Sequence, residues 1–124
     1  MDTALNKGYR VSGAVVNLAA AGVANATEIF QISNSSLQIG TKSAKIKKIR
    51  IYDNGTGGTA IHIGTGVNTD FVAVLPAIQT VPNMDLVLEE KEIPEVEVFE
   101  DLTAYPDSVG SGSIDIQVEV EEIG

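Results

Sequence analysis

His62 is the only histidine in the chain, so any imidazole chemistry rests on it. It stands between Ile61 and Ile63, so on a strand it points away from both. A Ser-His-Asp arrangement needs an acid to hold the ring and an activated serine beside it. Gly110-Ser111-Gly112 is too short to be the Gly-x-Ser-x-Gly elbow that presents such a serine. With no cysteine and no second histidine, a metal at His62 would need carboxylates alone to complete its shell. The simpler reading is an exposed or interface histidine.

Three other groups could do chemistry. Glycines crowd the stretch from Gly55 to Gly66, but a phosphate-binding loop needs Gly-x4-Gly-Lys-Ser/Thr leading into a helix. Here the spacing is wrong and no lysine follows, so turns explain the glycines better. Acidic residues crowd the later half at Glu89, Glu90, Glu92, Glu95, Glu97, Glu100 and Asp101. Paired carboxylates can serve a glycosidase as acid and base, yet alternation sends Glu95 and Glu97 to solvent. Calcium is the better use of such oxygens, with Asp53-Asn54-Gly55 or Glu89-Glu90 as contributors, although no EF-hand spacing exists. The last group is Lys45, Lys47, Lys48 and Arg50, the one basic cluster. It is the candidate partner contact, suited to an acidic surface such as the acidic half of another copy. The competing reading is a solvated edge strand guarded by lysines.

The elements that position these residues are strands. No long 3.6-residue stripe with a cap and a glycine stop is present, whereas strand signals recur at short spacing. Candidates are Tyr9 to Leu18, Glu28 to Ser33, Leu37 to Ile39 after an Asn34-Ser35-Ser36 turn, and Lys45 to Tyr52. In the last of these, Ile46, Ile49 and Ile51 slip by one at Lys47-Lys48, which predicts a β-bulge. Asp53-Asn54-Gly55 supplies turn chemistry, and Thr59 to Ile63 is expected to return as the second arm of a hairpin. Phe71 to Leu75, Ile78 to Val81, Leu86 to Glu89 and Val96 to Phe99 follow, punctuated by Pro76, Pro82 and Pro94. The final strand is the clearest. Ile114, Ile116, Val118 and Val120 alternate with Asp115, Gln117, Glu119 and Glu121, one face for the core and one for water.

Eight or nine short strands, with no helical crossovers to join parallel neighbours, predict an all-β chain folded as a single antiparallel β-sandwich of jelly-roll type, with a barrel as the alternative. One domain over 1–124 fits the length, with residues 1–8 as a possible N-terminal arm. Net charge is −9, which disfavours a nucleic-acid partner. The charge is uneven: residues 1–60 hold seven basic and three acidic side chains, residues 61–124 one basic and fourteen acidic. No window reaches the roughly 18 apolar residues of a membrane span. Val11 to Ala24 imitates a signal-peptide core, but Ser12, Gly13, Asn17 and Gly22 interrupt it. It reads as strand and loop, and the protein is expected to be made in the cytoplasm without export.

The second half is similar to small head proteins of tailed bacteriophages. The segments that carry this are Asp70-Phe71-Val72-Ala73-Val74-Leu75-Pro76-Ala77-Ile78, Leu86-Val87-Leu88-Glu89-Glu90, Ile93-Pro94-Glu95-Val96 and Val118-Glu119-Val120-Glu121-Glu122. A small, acidic, cysteine-free β-protein ending in an alternating strand resembles a capsid decoration, or cement, protein over roughly residues 60–124. The resemblance implies a non-enzymatic homotrimer on the virion surface, binding the major capsid protein and stiffening the shell without a cofactor. It assigns no individual residues. Two alternatives stand beside it: another self-assembling tail or surface subunit, and a carbohydrate- or ligand-recognition sandwich. Sugar sites favour exposed aromatic platforms, and this chain has no tryptophan and few other aromatic residues.

Overall fold

A computed structural model describes residues 9–32 and 43–123. The possible arm at 1–8, the turn at 34–36 and the candidate strand Leu37 to Ile39 lie outside the described residues. Among the described residues eleven strands form, in chain order β1 (Tyr9–Ser12), β2 (Val16–Leu18), β3 (Thr27–Phe30), β4 (Ser43–Asn54), β5 (Ala60–Thr65), β6 (Val72–Ala73), β7 (Ile78–Gln79), β8 (Asp85–Leu88), β9 (Glu97–Val98), β10 (Leu102–Pro106) and β11 (Ser113–Ile123). All pairings are antiparallel and give two sheets. Sheet A runs β1-β11-β4-β8, with β2 also on β11 and β9 also on β4; sheet B runs β3-β10-β5-β6, with β7 also on β5. The fold is the all-β sandwich expected. Its strand count exceeds the eight or nine predicted partly because β6, β7 and β9 are two-residue pairings.

Sheet A is organised by two long strands. β11 buries Ile114, Ile116, Val118 and Val120 completely and leaves the alternate residues half-exposed, as its pattern requires. Its register on β4 pairs Ile116 with Ile51 and Val118 with Ile49. The register then shifts: Glu119 pairs with Lys48 but Val120 with Ile46, so Lys47 is the extra residue of a bulge. The bulge turns Lys47 and Lys48 to the same side while Ile46 and Ile49 both stay in the core. Sheet B supplies Ile61, Ile63, Leu102 and Ala104 to the opposite wall, all fully buried. The core is thus almost wholly aliphatic, with Phe30 the one buried aromatic ring among the described residues.

Three sequence readings need correction. The strand Tyr9 to Leu18 is split, because Gly13 to Val15 leaves the ladder after the Gly13 N–H bonds the Val118 carbonyl at 2.8 Å. β4 and β5 do not form a hairpin: β4 lies in sheet A and β5 in sheet B, so the turn between them crosses the sandwich. The expected hairpin loop is pulled out of plane by Asp53, described below. Finally, β10 is absent from the strand candidates above, and it ends on Pro106, a residue that cannot donate to a ladder. The proline is accommodated at that end, and Asp107 resumes the hydrogen bonding by donating its N–H to the Ala60 carbonyl at 2.9 Å.

Candidate functional site

The two positions that best suggested catalysis or metal binding are occupied by structural work. Asp53 is fully buried, and its carboxylate accepts four hydrogen bonds. The donors are the Thr56 N–H at 2.8 Å, the Thr56 hydroxyl at 2.5 Å, the Gly58 N–H at 3.1 Å and the Thr80 hydroxyl at 2.7 Å. Burial works to raise the pKa of this carboxyl. The hydroxyls of Thr56 and Thr80 and the two N–H groups outweigh it, and the carboxyl sits below its ordinary value. Gly55, Gly57 and Gly58 all adopt left-handed φ, which lets the turn curl over its own aspartate. These lone pairs are therefore spent on the turn rather than offered to calcium. Glu89 and Glu92 are joined in a reciprocal capping box around the short 3-10 turn Glu90–Glu92. Among the described residues, no three His, Asp or Glu side chains converge as a metal site.

His62 lies on the outer face of sheet B, opposite to Ile61 and Ile63, as strand alternation predicts. Its Nε2 is 2.8 Å from Asp107 Oδ1, and its ring stacks on Tyr105 with centroids 4.7 Å apart. Phe71 meets Tyr105 edge-on at 5.0 Å. A histidine held by an aspartate is half of a triad, but no hydroxyl among the described residues hydrogen-bonds the ring. The row Phe71–Tyr105–His62 spends ring faces on one another, which is a poor platform for a sugar. Phe71 also passes over Gly64, where a Cβ would overlap both its ring and the Val72 carbonyl. The glycine thus permits close approach of β6 and serves no phosphate.

The remaining candidate is the outer face of sheet A, where all four members of the basic cluster lie. Lys47 is nearly buried, and its ammonium sits 3.4 Å from Glu90, 3.7 Å from Glu95 and 3.6 Å from Glu121. Lys45 pairs with Glu95 at 3.3 Å. Arg10, from β1, reaches Glu119 at 3.0 Å and also binds Glu90. The bonds from Arg10 and then Lys47 hold the Glu90 carboxyl below its usual range, and Lys45 does the same for Glu95. Much of the uneven charge along the chain is thus reconciled inside one molecule: basic residues of the first half meet acidic residues of the second across sheet A.

Lys48 and Arg50 are the members left exposed. Lys48 has no ion pair among the described residues, and Arg50 reaches Asp85 only at 3.7 Å between two exposed side chains. Around them the surface is shallow. One groove of about 170 Å³ runs between Val15, Arg50, Tyr52, Asp85 and Gln117, and another of about 110 Å³ between Ser12, Lys48 and Glu119. Val15, Tyr52 and Val87 are exposed apolar surface on or beside this face, Val15 at 62%. A larger apolar cleft of about 300 Å³ opens between the β7 and β8 edges, lined by Leu75, Ala77, Ile78, Leu88 and Ile93. Small-molecule sites need several convergent polar groups, and among the described residues Glu92 is the only polar side chain lining this cleft.

No protein-family model matches the chain, and no curated protein matches it. Solved structures of low identity do. One is a structure of Bacillus endospore appendages, a family of disulfide-linked pili, at 17% identity and TM-score 0.42, covering 94% of this chain and 88% of that one. A second is the Drosophila NLP core, at 15% identity and TM-score 0.41, covering 94% and 99%. A third is the Tobacco streak virus coat protein dimer, at 10% identity and TM-score 0.41, covering 93% and 87%. Likeness this distant carries no argument about partner or activity.

Proposed function

We propose that this chain is a non-enzymatic structural subunit of a virion shell that acts as a homo-oligomer and docks through the outer face of sheet A. The observation that carries the reading is that face itself: broken only by shallow grooves, built on the two longest strands, charged in both signs and interspersed with exposed Val15, Tyr52 and Val87. A broad shallow surface of this kind matches another protein surface better than a small ligand, which needs a cleft. The in-chain ion pairs of Arg10, Lys45 and Lys47 fix β1 and the 89–95 segment against β4 and β11, giving the face a rigid frame. Rigidity suits a shell component, since an ordered surface loses little entropy on assembly. Capsid decoration on a major capsid protein, with the trimer implied by the phage resemblance, is the specific form we favour.

The direct test is co-sedimentation of the purified chain with empty heads assembled from the major capsid protein of the same virus. Saturable binding and a higher disruption temperature of the heads are expected. Heads that neither retain the chain nor gain stability at any concentration would overturn capsid decoration.

A further inference from the structure

The edge of β4 that faces away from β11 is paired in two places and open between them. β8 pairs with Ile49 to Tyr52, and β9 with Ala44 and Lys45. Ile46, Lys47 and Lys48, the stretch that carries the bulge, belong to neither of these ladders. Residues 89–96 join β8 to β9 and so pass along this gap. Their own backbone bonds turn inward: the Glu92 N–H donates to the Glu89 carbonyl at 2.8 Å and the Ile93 N–H to the Glu90 carbonyl at 3.2 Å. The capping box of Glu89 and Glu92 is internal as well. Side chains tie the segment to the sheet. Glu90 accepts from Arg10 of β1 and meets Lys47 at 3.4 Å, while Glu95 meets Lys45 at 3.3 Å and Lys47 at 3.7 Å. From β11, Glu121 faces the same Lys47 and Glu119 the same Arg10. Of residues 89–96 Ile93 alone is buried, and with Glu92 and Pro94 it walls the apolar cleft of about 300 Å³, so open space lies beside its seat. We infer that residues 89–96 are a strap latched by charge over the gap in the edge of β4, which lifts as a unit when the latch is screened or protonated while the sandwich beneath stays folded.

The latch has the chemistry of a releasable one. The Glu90 and Glu95 side chains are 53% and 66% exposed, so each pair is weak on its own and open to screening by salt. The hydrogen bond from Arg10 holds the Glu90 carboxyl below its ordinary value, and that from Lys45 does so for Glu95. The latch is therefore whole above the ordinary glutamate value of about 4.3 and is lost as pH falls through the lower folded values. Glu119 and Glu121 face the same cations, and Asp53 also loses its contribution in acid, so salt at neutral pH is the cleaner probe. Lifting the strap bares the unpaired edge of β4 and opens the cleft at Ile93; the strands that carry the core stay paired through β11.

Native-state amide exchange at neutral pH, read residue by residue, tests it. The parent is measured at low salt and at about 1 M sodium chloride, and the variant E90Q/E95Q at low salt. Melting curves confirm the fold of both, and light scattering on the same samples tells a change of assembly from a lifted strap. A single 3-10 turn does not persist off the sheet, so the Glu92 and Ile93 amides should exchange at least ~tenfold faster in high salt or in the variant. Ile116 and Val118 of β11 should stay within about twofold of the parent's rates. Equal acceleration at all four amides would mean that the segment opens only with the whole sandwich. Unchanged Glu92 and Ile93 amides would mean that charge does not hold it. Either result overturns the strap, and neither bears on whether the chain assembles.

Discussion

Replacing Asp53 with alanine removes the acceptor around which the crossing turn is built. Four hydrogen bonds at 2.5 to 3.1 Å end on this carboxylate. Hydrogen bonds to a charged group contribute about 1.5–3 kcal/mol each when probed singly, but they do not add, and near-surface N–H groups can rehydrate. The Thr56 and Gly58 N–H groups are of that kind. The Thr80 hydroxyl is not: it is buried, donates to Asp53 and accepts the Thr59 N–H at 2.9 Å, so the alanine variant strands it. A loss of about 3–4 kcal/mol follows, and roughly 10–20 °C in Tm for a chain of this length. Asparagine keeps the shape but not the charge and turns an NH₂ towards donors, for a loss of about 2 kcal/mol. The pH dependence separates the two effects. The folded pKa of Asp53 lies below its unfolded value, so the unfolded chain takes up the proton first. The Asp53 contribution is whole at neutral pH and fades as pH falls below about 4 towards the folded pKa. Urea denaturation at pH 7 and at a series of acid pH values reads both quantities. An alanine variant within about 1 kcal/mol of the parent, or an asparagine variant with an unchanged acid slope, would refute the reasoning.

Other perturbations reach different parts of the account. Ile116→Asp puts a charge at a fully buried position between β2 and β4, and a loss of several kcal/mol, read as an unfolded far-ultraviolet spectrum, is expected. Gly64→Ala should push β6 off β5 at a cost of about 1–3 kcal/mol, with faster amide exchange of Thr65 and Val74 as its local signature. Lys47→Met should lower stability by leaving Glu90, Glu95 and Glu121 facing one another, and 1 M salt should reduce the difference from the parent. Acidification should loosen the same frame, because Glu90 and Glu95 titrate below their usual range and their contribution is lost as pH falls through their folded values.

The parts of this fold readable in the sequence are those where local pattern and global packing agree. The alternation of Ile114 to Val120 gave the register of β11, and the slipped spacing of Ile46, Ile49 and Ile51 gave the Lys47 bulge, because a buried face tolerates no other arrangement. Strand β10 was missed, although Leu102 and Ala104 alternate with Thr103 and Tyr105 as a strand should. The crossing turn was hidden because Asp-Asn-Gly chemistry is the same whether a chain returns within a sheet or changes sheet. What holds the crossing turn is the bond that the Thr80 hydroxyl donates to Asp53, a long-range contact with no local signal. The candidate site was half visible. The cluster Lys45, Lys47, Lys48 and Arg50 stood out, but its division into engaged and exposed members depends on Arg10, Glu90 and Glu95, which only the sandwich brings together.

The central claim is that the chain works by assembling, and its solution mass tests that most directly. Light scattering behind size exclusion, over a concentration series at low and high salt, should show an oligomer that dissociates as salt screens the sheet A contacts. One mass, that of a single chain, at every concentration and salt would contradict the claim.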